Sequence, residues 1–190
     1  MFCFDIETLS TESNSVVLSA AIIHFDPESD FTYQELLDEA LFVKFSVKEQ
    51  VQQYGRILDQ DTIGWWKNQS EEAKIKSYKP SSKDCTLVDG ITQLTAYIDK
   101  YDKERKKTIW ARGSLDQLCI DSLAKSGKLK TISEYYVWRD VRTAIECLKD
   151  TAKNGYCKVE KEGYDAWKDV IKHDPVHDCA SDIMQLVYGV

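Results

Sequence analysis

Near its start the chain reads Phe2-Cys3-Phe4-Asp5-Ile6-Glu7, in which apolar residues alternate with others. Successive side chains of a strand point to opposite faces of its sheet, so the two phenylalanines and the isoleucine would share one face. Asp5 and Glu7 would then leave the other face together. Two like charges on a buried strand are costly unless a cation neutralises them. The stretch therefore predicts a buried strand with one half of a metal site, although the spacing alone also fits an exposed strand end with two solvated acids.

Further strands are indicated on both sides of a change in periodicity. Residues 16–25 and 41–47 have strand patterns, and short connections join them to the first strand in an antiparallel meander. Later the apolar residues 108–111 predict a fourth strand, and residues 135–138 are a candidate for a fifth.

Helical spacing dominates the rest of the chain. We expect one helix to begin at an Asp61-Thr62 cap and another to cover residues 87–98. A third should begin at Ser114 or Asp116, and a fourth should cover residues 141–148. The last should begin at Asp178 or a neighbour and continue towards the carboxyl end. Residues 149–172 are polar and poorly periodic. Strands first, then strand and helix in alternation, predict an α/β fold with a central mixed five-stranded sheet flanked by helices. In that sheet we expect the antiparallel meander to be followed by parallel strands. We expect one domain over residues 1–190.

Composition excludes some classes of function. There are 25 basic and 32 acidic residues, a net charge of −7, which excludes a polybasic DNA coater. A protein that binds a few nucleotides through metal ions remains, because cations can supply the missing positive charge. The six cysteines form no C-x-x-C pair, and neither a signal peptide nor a membrane-length apolar stretch is evident. These features predict a cytoplasmic protein with reduced thiols and no membrane association.

Two later regions could supply partners for the acids of the first strand. Asp116 follows the predicted fourth strand and a turn at Gly113, near the start of a helix. A helix cap would explain Asp116 if it stood alone. The second region is the segment 173–182, which contains two histidines and several aspartates.

In that segment a histidine precedes an aspartate by five positions twice, as His173 with Asp178 and as His177 with Asp182. Five helical steps leave two residues about 140° apart, so the histidine should lie on a loop that leads into the helix. Pro175 interrupts the first register, and Asp178 falls at an expected helix cap. Asp182 lies well inside the apolar helix, where an unpaired charge is unfavourable unless the residue has a specific role. We therefore favour His177 with Asp182 and interpret Asp178 as a capping residue.

Taken in order, Phe4-Asp5-Ile6-Glu7-Thr8, residues 110–116 and residues 177–182 resemble the three motifs of the DEDDh family. These are the DnaQ-like 3′→5′ exonucleases, including RNase T, and the resemblance spans nearly the whole chain. It implies a ribonuclease H-like fold. Residues 61–66 and 139–143 are similar to segments of the phage exonuclease A (Dex) group and its mycobacterial exoribonuclease relatives. Two departures are Arg112, where the family usually has Asn, and Leu115, where it often has Phe.

The resemblance implies a two-metal phosphodiesterase. Asp5, Glu7 and Asp182 would hold one divalent cation and Asp5 with Asp116 the second, the cations being Mg²⁺ or Mn²⁺. His177 would act as general base on the attacking water. The implied catalytic residues are thus Asp5, Glu7, Asp116, His177 and Asp182.

The implied reaction releases nucleoside 5′-monophosphates from the 3′ end of single-stranded DNA or RNA. Thr8 and Leu9 match positions that in the family touch the 3′-terminal nucleotide. A phage-encoded enzyme would act in the host cytoplasm, and association as a homodimer stays open.

Several alternatives remain at this point. The activity could be specific for RNA, whose 2′-OH no residue visibly addresses, or the chain could be a non-catalytic nucleic-acid-binding member of the fold. Trp65 and Trp66 could stack on bases, but adjacent helical positions point about 100° apart, so one should be core. Arg139 and Arg142 could bind phosphate or form structural ion pairs.

Overall fold

A computed structural model of the protein describes residues 1–149 and 155–190. Over those residues five strands form one mixed sheet in the order β3-β2-β1-β4-β5. β1 pairs antiparallel with β2, and β2 with β3, whereas β4 runs parallel to β1 and β5 parallel to β4. This confirms the predicted α/β class and the meander. The strands are β1 (Phe2–Thr8), β2 (Val17–His24), β3 (Leu41–Lys44), β4 (Ile109–Ala111) and β5 (Trp138–Asp140).

Helices cover both faces of the sheet. In chain order they are α1 (Tyr33–Glu39), α2 (Val47–Tyr54), α3 (Gln60–Lys67), α4 (Glu71–Ala73), α5 (Leu87–Tyr101), α6 (Leu115–Ser126), α7 (Val141–Leu148), α8 (Ala166–Asp169) and α9 (Pro175–Tyr188). A π-helical segment (Lys74–Tyr78) continues α4, and a 3₁₀ turn (Tyr135–Val137) precedes β5. In the described part of the chain, no helix combines the length and apolarity needed to span a bilayer.

The alternation of β1 divides the core as predicted. Phe2, Phe4 and Ile6 pack with apolar residues of α5 and α6 on one face of the sheet. Cys3 joins the opposite cluster, in which α1 and α9 cover β2. A third cluster lies under α3 and contains the fully buried Trp66. Asp5 and Glu7 therefore leave the sheet on the side that α9 covers.

Two early boundaries differ from the sequence prediction. The third strand ends at Lys44, because the Ser46 hydroxyl accepts a hydrogen bond from Glu49 N at 3.2 Å and begins α2 there. α3 begins after Asp59, not at Asp61-Thr62, since the Asp59 carboxylate accepts from Thr62 N at 2.8 Å. In both places an N-cap overrides the apolar pattern.

Two late boundaries also differ. The predicted strand 135–138 is mostly a 3₁₀ turn, and the paired strand is Trp138–Asp140. The last helix begins at Pro175, because the Asp174 carboxylate caps it through Val176 N at 3.0 Å and proline suits the first helical position. Residues 150–154 of the segment expected to be irregular lie outside the described residues.

The sheet opens at the carboxyl end of β1. β4 pairs with β1 only opposite Phe2 and Cys3, and the chain then turns into α6 through Gly113, whose φ is +100°. Only glycine adopts such a φ readily. The freed amide of Ile6 donates to the Asp116 carboxylate at 3.3 Å. The second half of β1 thus lies between the start of α6 and the start of α9.

Candidate active site

Of the two acids of β1, Glu7 is buried and Asp5 is half-buried, and neither forms an ion pair with a Lys or Arg among the described residues. Asp5 Oδ2 is inaccessible and has no hydrogen-bond partner among the described residues. Burial, then the charges of Asp116 and Asp178, raise the pKa of Asp5 well above its usual value. Burial and then the Asp178 charge raise the pKa of Glu7 in the same way. Such carboxylates are unfavourable as anions unless a cation lies between them.

Asp116 joins them from the first turn of α6. Its carboxylate is buried and accepts the amide of Ile6 across 110 residues of sequence. Burial raises its pKa to about 7, and the hydrogen bond from Ile6 offsets part of that effect. The N-cap of α6 is Ser114, so helix capping does not account for Asp116.

Glu7, His173 and Asp178 form the tightest group of metal-ligand atoms in the described residues. One ligand atom from each lies within 4.8 Å of the other two. His173 Nδ1 is 3.9 Å from Glu7 Oε1, and His173 N donates to Asp178 Oδ2 at 2.9 Å. His173 has a φ of +63°, a left-handed conformation that is uncommon for a non-glycine residue and is often found at functional sites.

His177 and Asp182, the favoured pair in the sequence, have other partners. His177 Nδ1 lies 2.9 Å from the hydroxyl of Tyr33, on the side of α1. Arg112 binds the Asp182 carboxylate through Nε at 3.0 and 3.2 Å and through Nη2 at 2.5 Å. The charges of four acids act on Asp5, namely those of Glu7, Asp116, Asp178 and Asp182. Of these, Asp182 forms an ion pair with Arg112.

The interpretation of Asp178 as a cap and of His177 as a loop residue was wrong. Both lie inside α9, whose cap is Asp174, and His173 is the histidine that precedes the helix. Pro175 does not interrupt this segment, because it occupies the first turn of α9. Proline at the first helical position after an aspartate was the signal that could have shown this.

Burial and neighbouring charges shift the pKa values of the aspartates and the histidine in this segment. Burial, then Asp182, raises the pKa of Asp178 to about 7. Burial, then the Lys172 charge, lowers the pKa of His173, so its imidazole is neutral near pH 7 and can accept a proton. Burial raises the pKa of Asp182, and Arg112 opposes that shift.

The donor set fits hard divalent cations. Carboxylate oxygens are the ligands that Mg²⁺ and Mn²⁺ favour, and the charges of Glu7, Asp116 and Asp178 all act on Asp5, whose Oδ2 has no hydrogen-bond partner among the described residues. Asp5, Glu7, Asp116 and Asp178 could therefore hold such ions.

The other residues predicted to bind substrate lie beside the acids. Thr8 is half-buried, and its hydroxyl donates to Ser10 O at 2.7 Å. Leu9 is only 4% exposed and packs in the cluster under α3.

As expected, the two tryptophans divide between core and surface. Trp66 is fully buried and donates its Nε1 hydrogen to Thr8 O at 2.9 Å. Trp65 is 43% exposed, and its ring meets that of His173 edge-on, with the centroids 4.7 Å apart. A cavity of about 400 Å³ adjoins His173 and is lined by Gln69, Ser70, Glu72, Val170, Ile171 and Lys172.

A mixed sheet of this order, with acids on its central strand and on two flanking helices, is consistent with a nuclease of the ribonuclease H-like class. The family model of the 3′-5′ exoribonuclease Rv2179c-like domain matches residues 1–186. A bacteriophage T4 (Enterobacteria phage T4) protein named exodeoxyribonuclease is 32% identical over 206 aligned positions, covering 100% of this chain and 88% of the phage protein. The chain belongs to this DnaQ-like family, as the motifs predicted, and is a 3′-5′ exonuclease.

Proposed function

We propose that this exonuclease removes nucleotides from the 3′ end of single-stranded DNA or RNA and releases nucleoside 5′-monophosphates. The observation that carries the proposal is the convergence of Glu7, His173 and Asp178 within 4.8 Å, beside a buried Asp5 oxygen that lacks a partner. A non-catalytic member of the fold would not need this uncompensated set of acids. We propose that residues 1–190 act as one catalytic domain.

In this proposal the acids hold two divalent cations. Asp5, Glu7 and Asp178 would bind one, and Asp5 with Asp116 the other. Mg²⁺ or Mn²⁺, when bound, would lower the pKa of a water and compensate the charge on the leaving oxygen. Asp178 replaces Asp182 in this assignment, because Asp182 is already paired with Arg112.

His173 is the proposed general base, in place of His177. Its neutral imidazole can take a proton from the attacking water, whereas His177 already contacts the Tyr33 hydroxyl. Asp178 fixes the backbone of His173 by accepting its amide hydrogen at 2.9 Å. Glu7 lies close enough to stabilise the imidazolium after proton transfer, at 3.9 Å.

Trp65 is the proposed platform for a base near the 3′ end. Its exposed ring lies against His173, and stacking on an aromatic ring needs a base that is not paired in a duplex. This favours single-stranded ends. The net charge of −7 favours a short contact with the phosphate backbone.

The comparisons favour neither sugar, since the family description names RNA and the phage relative is named for DNA. A test is the digestion of matched DNA and RNA strands, 5′-labelled, single-stranded or blunt duplex, with Mg²⁺, Mn²⁺ or EDTA. We expect stepwise shortening of both single strands, slower digestion of duplexes, 5′-monophosphate products and no cleavage in EDTA. Digestion of RNA alone would support the RNA-specific alternative, and internal cuts would contradict an exonuclease.

A further inference from the structure

Arg112 makes more polar contacts than a surface arginine would. It follows β4 directly, and its side chain is only 12% exposed. Beyond the contacts with Asp182, its Nη1 donates to Gly155 O at 2.9 Å. The guanidinium carbon lies 4.0 Å from the ring centroid of Tyr156. These contacts fix the plane and direction of the group.

Its partner Asp182 lies on α9, the helix that also carries the proposed metal ligand Asp178. Asp182 follows Asp178 by four residues, so the two carboxylates share the helix face that covers β1. The charge of Asp182 reaches both Asp5 and Asp178. An unpaired carboxylate there would be a fifth acid within reach of the cations.

Charge balance gives the pairing a role. Two divalent cations neutralise four carboxylates, and Asp5, Glu7, Asp116 and Asp178 already number four. A fifth carboxylate would attract a cation away from the reacting positions or add another. The fork of arginine matches a carboxylate at two points, which a lysine would not do.

We infer that Arg112 is a positioning residue that withholds Asp182 from the metal centre through this two-point ion pair. The inference rests on the proposed function, because it concerns which acids hold the cations. It distinguishes Arg112 from a phosphate contact, since its donors already face Asp182 and Gly155 O.

The test is a titration of the full chain with Mn²⁺, in which calorimetry and electron paramagnetic resonance measure binding. Thermal unfolding of the same samples shows whether each variant is folded. The variants are R112Q, D182N and the double variant R112Q/D182N. Removing one partner of a buried ion pair is strongly destabilising, whereas a neutral pair of similar shape can be tolerated. The double variant therefore keeps the test informative if R112Q does not fold.

We expect the double variant to bind two Mn²⁺ per chain, like the wild type, with Kd within about threefold of the wild-type value. D182N alone should raise the Mn²⁺ Kd about tenfold, because the Arg112 charge then lacks its counter-charge beside the centre. R112Q, if folded, should bind an additional Mn²⁺.

Fewer Mn²⁺ ions on a folded double variant would overturn the inference, since Asp182 would then be a ligand. Wild-type Mn²⁺ binding by both single variants would overturn it too, since the pair would have no influence. R105Q is a matched control: Arg105 binds Asp99 at 2.8 and 3.0 Å ahead of β4, and its loss should leave the Mn²⁺ Kd unchanged. If the wild type neither binds Mn²⁺ nor digests a strand, the proposed function itself fails. If the wild type is active but the variants give one of the overturning results above, only the role of Arg112 is contradicted.

Discussion

His173 with Asp178 and His177 with Asp182 have the same spacing on overlapping stretches of chain, but their surroundings differ. The first pair meets Glu7, and no Lys or Arg of the described residues forms an ion pair with Asp178. In the second pair each side chain has a protein partner, Tyr33 for the histidine and Arg112 for the aspartate. We assign the first pair to the proposed metal site because its acids lack a compensating protein partner, a property that the spacing of the residues does not reveal.

The aspartates should give the largest contrast. Asp178→Asn should lower kcat by about 10³-fold or more, because a cation site that contributes several kcal/mol is impaired. Asp182→Asn should cost only about tenfold, through the unpaired Arg112 charge. Steady-state digestion of a labelled single strand measures both, and melting curves control for folding. Equal losses in the two variants would break the distinction between the pairs.

The histidines come next. His173→Ala should lower kcat by about 10²- to 10⁴-fold, the usual contribution of a general base. His177→Ala should keep kcat within about threefold and lose about 1 kcal/mol of folding free energy, with the contact to Tyr33. Rates at saturating Mg²⁺ and urea unfolding check the two expectations. An inactive His177→Ala variant, together with a folded and active His173→Ala variant, would favour His177 with Asp182 as the catalytic pair.

The pH dependence of Tm in the absence of metal should distinguish acids with a protein partner from acids without one. Folding raises the pKa of Asp116 and Asp178 to about 7 from an ordinary value of 3.8, so the folded state holds their protons more tightly. Their contribution is therefore full below about pH 4 and is lost as the pH rises towards 7. In EDTA the Tm should fall between pH 5 and pH 8, and Mg²⁺ should raise it more at pH 8.

Calorimetric scans of wild type and Asp178→Asn measure this effect, and His177→Ala is the control. The asparagine variant should show a flatter dependence of Tm on pH, whereas the control should follow the wild type. A metal-free Tm that rises from pH 5 to pH 8 would contradict the expectation.

Trp65 and Trp66 on α3 also differ in their surroundings, since one is exposed and the other buried. Their substitution should give the smallest effect on activity. Trp65→Ala should raise KM about tenfold on a single strand, from the loss of one stacking contact of about 1–3 kcal/mol, with little change in Tm. Trp66→Ala should instead lower stability by about 3–5 kcal/mol, because it empties a buried site. Kinetics and denaturant unfolding separate the two. A lower Tm with unchanged KM in Trp65→Ala would assign that ring to packing.

Much of the fold followed from local pattern. The faces of β1, the meander and the late parallel strands were predicted because side-chain alternation and helical spacing are local properties. Helix starts were less certain: Asp59, Asp174 and Ser46 cap helices through single hydrogen bonds that periodicity does not show. The bounds of β5 were also missed, since a strand of three residues gives almost no pattern.

The family, the acids of β1 and the presence of a histidine and an aspartate five residues apart could all be recognised from the linear chain. The choice that we propose between the two such pairs rests on the folded structure. That choice depends on where α9 begins and on which carboxylate meets Arg112, a residue 70 positions away in the chain. Long-range ion pairs and the desolvation of charges leave no periodic trace in a sequence, and they decide which acids remain to bind a cation.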